Sequence, residues 1–381
     1  MAFSLLGLAT ALPEHSMSAE QAIGMSNDCV CRTDRHTRLL RTVFRRTGIS
    51  NRQLCVPHEI AYQWVPVPPR DLPPHESDLS RGPTTGERMA LYAEHAAPLA
   101  LRAVGSALES SAVPAAAITH LITVSCTGFE APGVDVELID RLQMRNTVER
   151  VHVGFMGCHG AINGMRVALG LTAADPAARV LLCATELCSL HFCFSWDQER
   201  ILGNALFADG AAAFVCGNVE RRVNGRAVGG EEDGRKQEDG DPWSVVATGS
   251  CLAPESREAI TWRIGDFGYE MSLSNRVPEL IKEHLRPWLA SWLERRNLSI
   301  DEIGSWAIHP GGPRIVDAVQ EGLGLSPQAT QVSRSVLEDY GNMSSPTVLF
   351  ILERLRRQAA KLPCVLLGFG PGLVAEAALI C

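Results

Sequence analysis

Several things are missing from this chain of 381 residues. No apolar run approaches the ~20 residues that a membrane-crossing helix needs, so no membrane span is expected. There is no CxxC pair, and His and Cys never fall at the paired spacings of a zinc site, so no metal is expected. Basic residues are the minority, 35 Lys and Arg against 43 Asp and Glu, for a net charge of −8. That balance argues against nucleic acid as a partner, because neutralising phosphates takes a basic surface. Residues 2–12 are apolar but lack a basic leader and a cleavage-type tail, and read as a first buried strand rather than a secretory signal. Gly368-Phe369-Gly370-Pro371-Gly372 has the wrong spacing for a dinucleotide loop, and no full βαβ unit follows it.

What is present is an ordinary globular composition, 46% hydrophobic and 20% charged, long enough for one large or two medium domains. Twelve cysteines are scattered singly, many of them in apolar runs. They read as reduced thiols, mostly small core residues, of a cytoplasmic protein.

Along the chain, apolar runs at 3–9, 118–125, 179–185, 213–216, 243–248, 305–308, 364–367 and 375–380 predict strands. Those without alternation are of the kind covered on both faces. Helical spacing predicts helices from near Ala19, capped by Ser18, and over 85–110, 134–144, 162–173, 277–294 and 314–322, with a further one ending near Lys361. Residues 64–84 are rich in proline and predict an irregular loop. Residues 32–52 are basic, and Arg38, Arg41 and Arg45 share one helical face, either solvated or a landing site for phosphates. The glycine-rich, charged stretch 224–242 predicts an exposed connection between an N-terminal half (1–223) and a C-terminal half (243–381). Both halves repeat strand–loop–helix units, which points to a duplicated α/β architecture.

Val151 to Ala161 reads as a strand, a sharp turn and a helix start, with Cys158 in the turn. A helix N-terminus favours an anion, so the turn is a place where a thiol becomes a thiolate and a nucleophile. His309 and Asn342 stand in comparable loops. Imidazole can hold a thiolate or move its proton, and an amide can donate to developing negative charge. A Cys–His–Asn set also fits a cysteine protease, and spacing alone does not separate the two. Taken singly, each of the three reads as structural. His159, beside Cys158, faces another side of the turn and is not the expected partner.

Four strings change this when taken together: Gly157-Cys158 after an apolar strand, His309-Pro310-Gly311-Gly312-Pro313, Tyr340-Gly341-Asn342-Met343-Ser344-Ser345, and Gly368 to Gly372. In this order the chain resembles type III polyketide synthases, the chalcone and stilbene synthase family, from Leu6 to Gly372. The stretch from Asn204 to Ala213 is included. The resemblance implies a thiolase-like fold, two duplicated αβα halves forming a five-layer αβαβα core. It implies that Cys158 carries an acyl group as a thioester, and that His309 and Asn342 promote decarboxylation of malonyl-CoA and stabilise the enolate that attacks it. It implies CoA thioesters as substrates with no further cofactor, and a homodimer. Phe207 matches the family's gatekeeping phenylalanine, and Met271 falls where a second is expected. Cys126, Thr127, Ala131, Cys188, His191, Gly203, Ser344, Gly370 and Pro371 match substrate-cavity positions, and Arg46 matches a CoA contact. Two other CoA contacts fall on Leu39 and Thr42, where Arg38, Arg41 and Arg45 are the available substitutes. Cys126 and Cys188 resemble bacterial members, which points to an alkyl or malonyl starter and a pyrone, resorcinol or naphthalene-type product. The rival of the same fold is a ketoacyl-ACP synthase III-like enzyme with a single condensation. A non-catalytic thiolase-fold subunit is the rival from another class.

Overall fold

The computed structural model describes residues 2–73, 82–198, 200–218, 222–223, 226–227 and 243–381. The connection expected at 224–242 lies outside the described residues apart from 226–227. In the first half the order is β1 (Phe3–Ala11), β2 (His15–Ser18), α1 (Ala19–Val30), α2 (Asp34–Thr47), β3 (Asn51–Leu54), α3 (Ile60–Trp64), α4 (Thr85–Ser111), β4 (His120–Ser125), α5 (Val134–Arg141), β5 (Glu149–Gly154), α6 (Gly160–Ala174), β6 (Arg179–Leu187), α7 (Arg200–Leu206) and β7 (Asp209–Gly217). A two-residue pair follows, β8 (Arg222–Val223) with β9 (Arg226–Ala227). The second half runs β10 (Ser244–Leu252), β11 (Ile260–Gly265), β12 (Gly268–Leu273), α8 (Val277–Glu294), β13 (Ser305–Ile308), α9 (Pro313–Leu323), α10 (Gln331–Tyr340), α11 (Thr347–Arg357), β14 (Cys364–Gly370) and β15 (Val374–Ile380).

Nine strands line up as β13-β14-β15-β10-β1-β7-β6-β4-β5. The centre of this row is a seam: β1 and β10 share only the pairs Phe3–Val245 and Ser4–Ser244. On either side the pairing directions repeat. β4 is parallel to β6, β6 antiparallel to β7, and β7 antiparallel to β1. In the same sense β13 is parallel to β14, β14 antiparallel to β15, and β15 antiparallel to β10. The fold is therefore a duplicated α/β architecture.

Side chains alternate faces along a strand, and here both faces are covered. In β6, Leu181 and Cys183 pack outward with Ala100 and Ala103 of α4, whereas Leu182 and Ala184 pack inward with Ile162 and Met165 of α6. In β14, Val365 and Leu367 pack outward with Leu285 and Leu289 of α8, whereas Leu366 packs inward with Val348 and Leu352 of α11. The layers are α4–sheet–α6/α11–sheet–α8/α9, the thiolase-like order. Burying each of these aliphatic side chains contributes about 1.5–3 kcal/mol, which is why unbroken apolar runs are kept here.

Local signals set the helix ends. Ser18 with Gln21 and Thr84 with Glu87 form capping boxes at α1 and α4, and Gly48 closes α2 at φ 68°. The described part of 64–84 holds one 3-10 turn, Pro69–Asp71. Several expected strands were too short: the one predicted at 213–216 starts at Asp209, and those at 243–248 and 364–367 run on to Leu252 and Gly370. Glycine and alanine have weak strand preference, yet Gly210 to Ala213 sit between β1 and β6 under α4, where packing overrides propensity.

Candidate active site

β5 ends at Gly154, and the chain turns through Phe155 (φ 57°) and Gly157 (φ 81°) before α6 starts. Gly157 is required twice over. Its φ is left-handed, and a Cβ there would lie 2.6 Å from Pro371 Cδ. The turn leaves Cys158 on a cavity of about 60 Å³ that it shares with Cys126, Thr127, Cys188, Phe207, Met271, Asn342, Ser344, Gly370 and Pro371.

Asn342 reaches this cavity from the loop before α11, as Cys158 does from the loop before α6. The loop is pinned to the residues around Phe207: Asn342 N donates to Leu206 O and Ala208 N to Asn342 O, both at 2.9 Å. Asn342 Oδ1 accepts from Ser344 N at 2.8 Å, which leaves the NH₂ end as the free donor, near enough to Cys158 to pull its thiol down. Ser344 Oγ lies 3.3 Å from Cys126 Sγ and also reaches Cys158. His309 follows β13, its N–H donating to Leu367 O at 2.8 Å, which carries it level with Gly368. Its side chain is buried, and neither ring nitrogen has a partner among the described residues.

The helix N-terminus does not by itself make Cys158 a thiolate, contrary to the expectation from the turn. Burial pushes the thiol up to about 11, with the Ser344 and Asn342 side chains pulling it back and Glu186 opposing them. Burial likewise holds His309 down at about 3. Each group taken alone is neutral at pH 7. Proton transfer from thiol to imidazole would create two opposite charges whose attraction opposes both shifts.

One residue central to the site was not anticipated. Glu186, fully buried at the end of β6, accepts from Ser345 Oγ (2.6 Å), Thr127 Oγ1 (2.7 Å), Cys126 N (2.9 Å), Cys126 Sγ and Ser125 Oγ (both 3.3 Å). Through Thr127 and Ser345 it ties the loop after β4 to the loop carrying Asn342. Its signal in the sequence is a carboxylate inside an apolar run, which is costly without donors.

The β11–β12 hairpin is the second feature missed. It supplies Ile260, Thr261, Trp262, Met271 and Leu273 to the cavity. Trp262 Nε1 donates to Cys126 O at 2.7 Å, and Glu270 pairs with Arg200 at 2.7 Å. A larger cavity of about 460 Å³ adjoins on the other side of Trp262, Phe207, Met271 and Cys188, which line both.

Three expected cavity residues lie elsewhere. Ala131 is exposed in the loop after β4 and lines a separate depression with Phe129 and His152, because the loop turns outward after Gly128. Gly203 lines the larger cavity, where a Cβ would be 3.7 Å from both Met271 Cε and Phe207 Cδ2. His191 also lines the larger cavity, and its ring is fully engaged: Nε2 donates to Thr127 O (2.7 Å) and Nδ1 accepts from Tyr269 N (3.0 Å). It staples hairpin to loop, stacked on Tyr269 at 4.0 Å, and burial holds it neutral. Arg38, Arg41, Arg45 and Arg46 are exposed on α2, which packs against α7, the helix that leads to Phe207. None of the four lines either cavity. Among the described residues no three His, Cys, Asp or Glu are placed to hold a metal, and no helix is long and apolar enough to cross a membrane.

Comparison with known proteins matches these features. Residues 3–219 fit the family model of the N-terminal domain of chalcone and stilbene synthases, and residues 244–381 that of the C-terminal domain. The chain is 34% identical over 299 residues to an alpha-pyrone synthesis polyketide synthase-like protein, Pks18, of Mycobacterium tuberculosis, covering 77% of this chain and 72% of that one. It is 31% identical over 381 residues to 1,3,6,8-tetrahydroxynaphthalene synthase of Streptomyces peucetius, covering 99% of this chain and 92% of the relative. The crystal structure of PKS-I from the brown alga Ectocarpus siliculosus superposes with a TM-score of 0.86 at 28% identity, covering 100% of this chain and 98% of that one. The type III polyketide synthase domain of Steely1 from Dictyostelium shares the fold, with a TM-score of 0.84 at 24% identity over 100% of this chain and 99% of that one.

Proposed function

The chain belongs to the chalcone and stilbene synthase family and is an acyltransferase of the type III polyketide synthase class, and we propose that it extends an acyl starter held on Cys158. The observation that carries this is the Asn342 amide, turned by Ser344 N so that its donor end faces Cys158 in a small cavity. In the first step the Cys158 thiol gives its proton to His309, and sulfur attacks the acyl-CoA carbonyl. A C–S bond to Cys158 forms, the C–S bond to CoA breaks, and the proton leaves with the CoA thiol. Malonyl-CoA then binds with its thioester carbonyl against the His309 and Asn342 donors. Loss of CO₂ leaves the electron pair as an enolate, with charge on the oxygen those donors face. The enolate carbon attacks the Cys158 thioester and releases the sulfur for another cycle.

CoA thioesters are the substrates, and no step calls for a further cofactor. Arg46, with Arg38, Arg41 and Arg45, offers the positive face for CoA phosphates beside α7. A cavity of about 60 Å³ next to Cys158 favours a malonyl or short alkyl starter, cyclised to a pyrone, resorcinol or naphthalene-type product. Family models matching both halves disfavour the single-condensation rival, and they support 1–223 and 243–381 as the two halves joined by 224–242. Twelve free cysteines fit the reducing cytoplasm. The deciding measurement is mass spectrometry of products from malonyl-CoA, alone and with a panel of acyl-CoA starters. Cyclised product is expected without any carrier protein; strict dependence on acyl carrier protein overturns the reading.

The partner we propose is a second copy of the chain. β5 is an edge strand of the sheet, and Val151, Met156, Phe129 and Val136, each between 36% and 44% exposed, stand on or beside it. Sedimentation equilibrium is expected to give a particle of two chains. Val151→Lys with Met156→Lys is expected to shift it to one chain, and a monomeric wild type sinks the proposal.

A further inference from the structure

Behind Glu186 lies a polar space that the mechanism above does not use. It is the depression beside Ala131, with a volume of about 260 Å³. Its floor is Tyr92 of α4, Thr123 and Ser125 of β4, and Cys183 and Thr185 of β6, all buried. The same sheet face is apolar two residues earlier, at Leu121 and Leu181. The rim is open and charged: Glu130, Arg150 and His152 are exposed. A polar, roomy site of this kind admits water.

A run of hydrogen bonds joins this depression to the cavity at Cys158. Tyr92 O–H donates to Ser125 Oγ at 2.9 Å, and Ser125 O–H donates to Glu186 Oε2 at 3.3 Å. On the far side Cys126 Sγ lies 3.3 Å from both Glu186 Oε1 and Ser344 Oγ. Tyr92 and Ser125 line the depression, and Cys126 and Ser344 line the Cys158 cavity, so Glu186 stands between the two. Every member of the run is a hydroxyl, a thiol or a carboxyl, whose hydrogens rotate and exchange. The partners of Glu186 among the described residues are Ser345, Thr127, Cys126 and Ser125, and none is a cation. A buried carboxylate held by exchangeable donors, with no fixed positive charge against it, is placed to take up a proton and pass it on. Burial raises its affinity for one. Gly128 keeps the outer end in place, since a Cβ there would run into the Tyr92 ring.

The extension cycle proposed above consumes protons, and the inference rests on that cycle. When the enolate carbon attacks the thioester, a C–C bond forms, the C–S bond breaks, and its electron pair stays on the Cys158 sulfur. To reload, that sulfur attacks the new acyl-CoA, a C–S bond to Cys158 forms, and CoA leaves as a thiolate. In the first round the proton of the Cys158 thiol goes to CoA. In every later round the proton must come from water. We propose that it enters from the depression, through Tyr92 and Ser125 to Glu186, and passes by Cys126 and Ser344 to the departing sulfur. Each hop makes one bond to hydrogen and breaks one, so every member of the run ends with the charge it began with. Water in the depression gives the proton and is left as hydroxide, which the buffer neutralises. Tyr92 and Ser125 are thus positioning residues that act through Glu186.

Ser125→Ala cuts the path in the middle, and Tyr92→Phe removes only the hydroxyl at its outer end. Two rates are compared in the full chain: a single acylation of Cys158 by acyl-CoA, read as the mass of its peptide, and multiple-turnover product formation from malonyl-CoA. Acylation brings its own proton and is expected to keep the wild-type rate in both variants. Product formation is expected to fall roughly 10²-fold, the low end of what a positioned proton donor contributes. Added imidazole buffer, a small diffusible proton donor, is expected to restore part of the loss and to leave the wild type unchanged. Ser125→Thr keeps the hydroxyl and is expected to hold the wild-type rate. Wild-type product formation in folded Ser125→Ala and Tyr92→Phe overturns the inference. So does a loss that falls equally on acylation, or one that imidazole does not relieve. Failure of wild-type Cys158 to take an acyl group overturns the extension cycle instead.

Discussion

Cys158→Ala is expected to abolish polyketide formation while malonyl-CoA still loses CO₂. The two reactions separate because different groups serve them. Chain extension needs sulfur to hold the acyl group, and the other two thiols on the cavity are poor substitutes: Cys126 and Cys188 are deeply buried, and burial, with Glu186 beside them, pushes their thiols well above the ordinary range. In the proposed mechanism decarboxylation needs only donors to the enolate oxygen, the role given to His309 and Asn342. His309→Ala is expected to slow decarboxylation and, with it, the extension that uses the enolate. Removing one such donor costs roughly 10²–10³ in rate. It also removes the proposed proton acceptor for a thiol that burial already pushes up, so the alkylation midpoint at Cys158 should rise. The measurements are CO₂ release from malonyl-CoA, product formation, and the mass of the Cys158 peptide after incubation with acyl-CoA. A Cys158→Ala enzyme that still condenses removes the covalent step; an unchanged alkylation profile in His309→Ala removes the pairing of thiol and imidazole.

Much of the frame was legible because its strands are buried on both faces. Runs such as 118–125 and 364–367 have no polar alternation, and that signature survives in a single sequence. The loops after these strands were expected to carry the chemistry, and the structure places Cys158 and Asn342 on one cavity, with His309 positioned by the register of β13 on β14. The duplication was faint in sequence because it lies in strand pairing directions and not in residue identity. The β11–β12 hairpin escaped for a different reason. Trp262 and Met271 face a cavity while Arg263 and Ile264 face outward, so its strands mimic neither a buried run nor a clean alternation. Ala131 shows the limit of placing residues by distance along a loop, since the chain turns outward between Cys126 and Ala131. Glu186 shows the reverse case, a residue whose importance comes wholly from five donors gathered from distant parts of the chain.

The hairpin leads to the largest expected change in specificity. Trp262 forms part of the wall, with Phe207, Met271 and Cys188, between the cavity of about 60 Å³ at Cys158 and the neighbouring one of about 460 Å³. Its indole is held by the hydrogen bond to Cys126 O at 2.7 Å and by edge contacts to His191 (5.6 Å) and Tyr269 (5.7 Å). Phe207 lies further off, its ring 6.3 Å from the indole, and Met271 bears on Gly203 rather than replacing the wall. Trp262→Ala is therefore expected to join the two spaces and let an acyl chain run past Phe207 into the larger one. Apolar contact is worth ~0.8 kcal/mol for each buried CH₂, so two or three extra methylenes are enough to shift preference at least tenfold. The expected readout is a rise in kcat/KM for long-chain acyl-CoA starters relative to short ones, with more extensions per product. Truncating a large aromatic side chain costs about 3–5 kcal/mol in a full core, and less at a half-buried site such as this one. Trp262→Leu, which keeps an apolar filler, serves as the milder variant, and a thermal melt of each separates unfolding from widened specificity. Folded variants with the wild-type starter preference and product length would show that Phe207 and Met271 close the cavity without the indole.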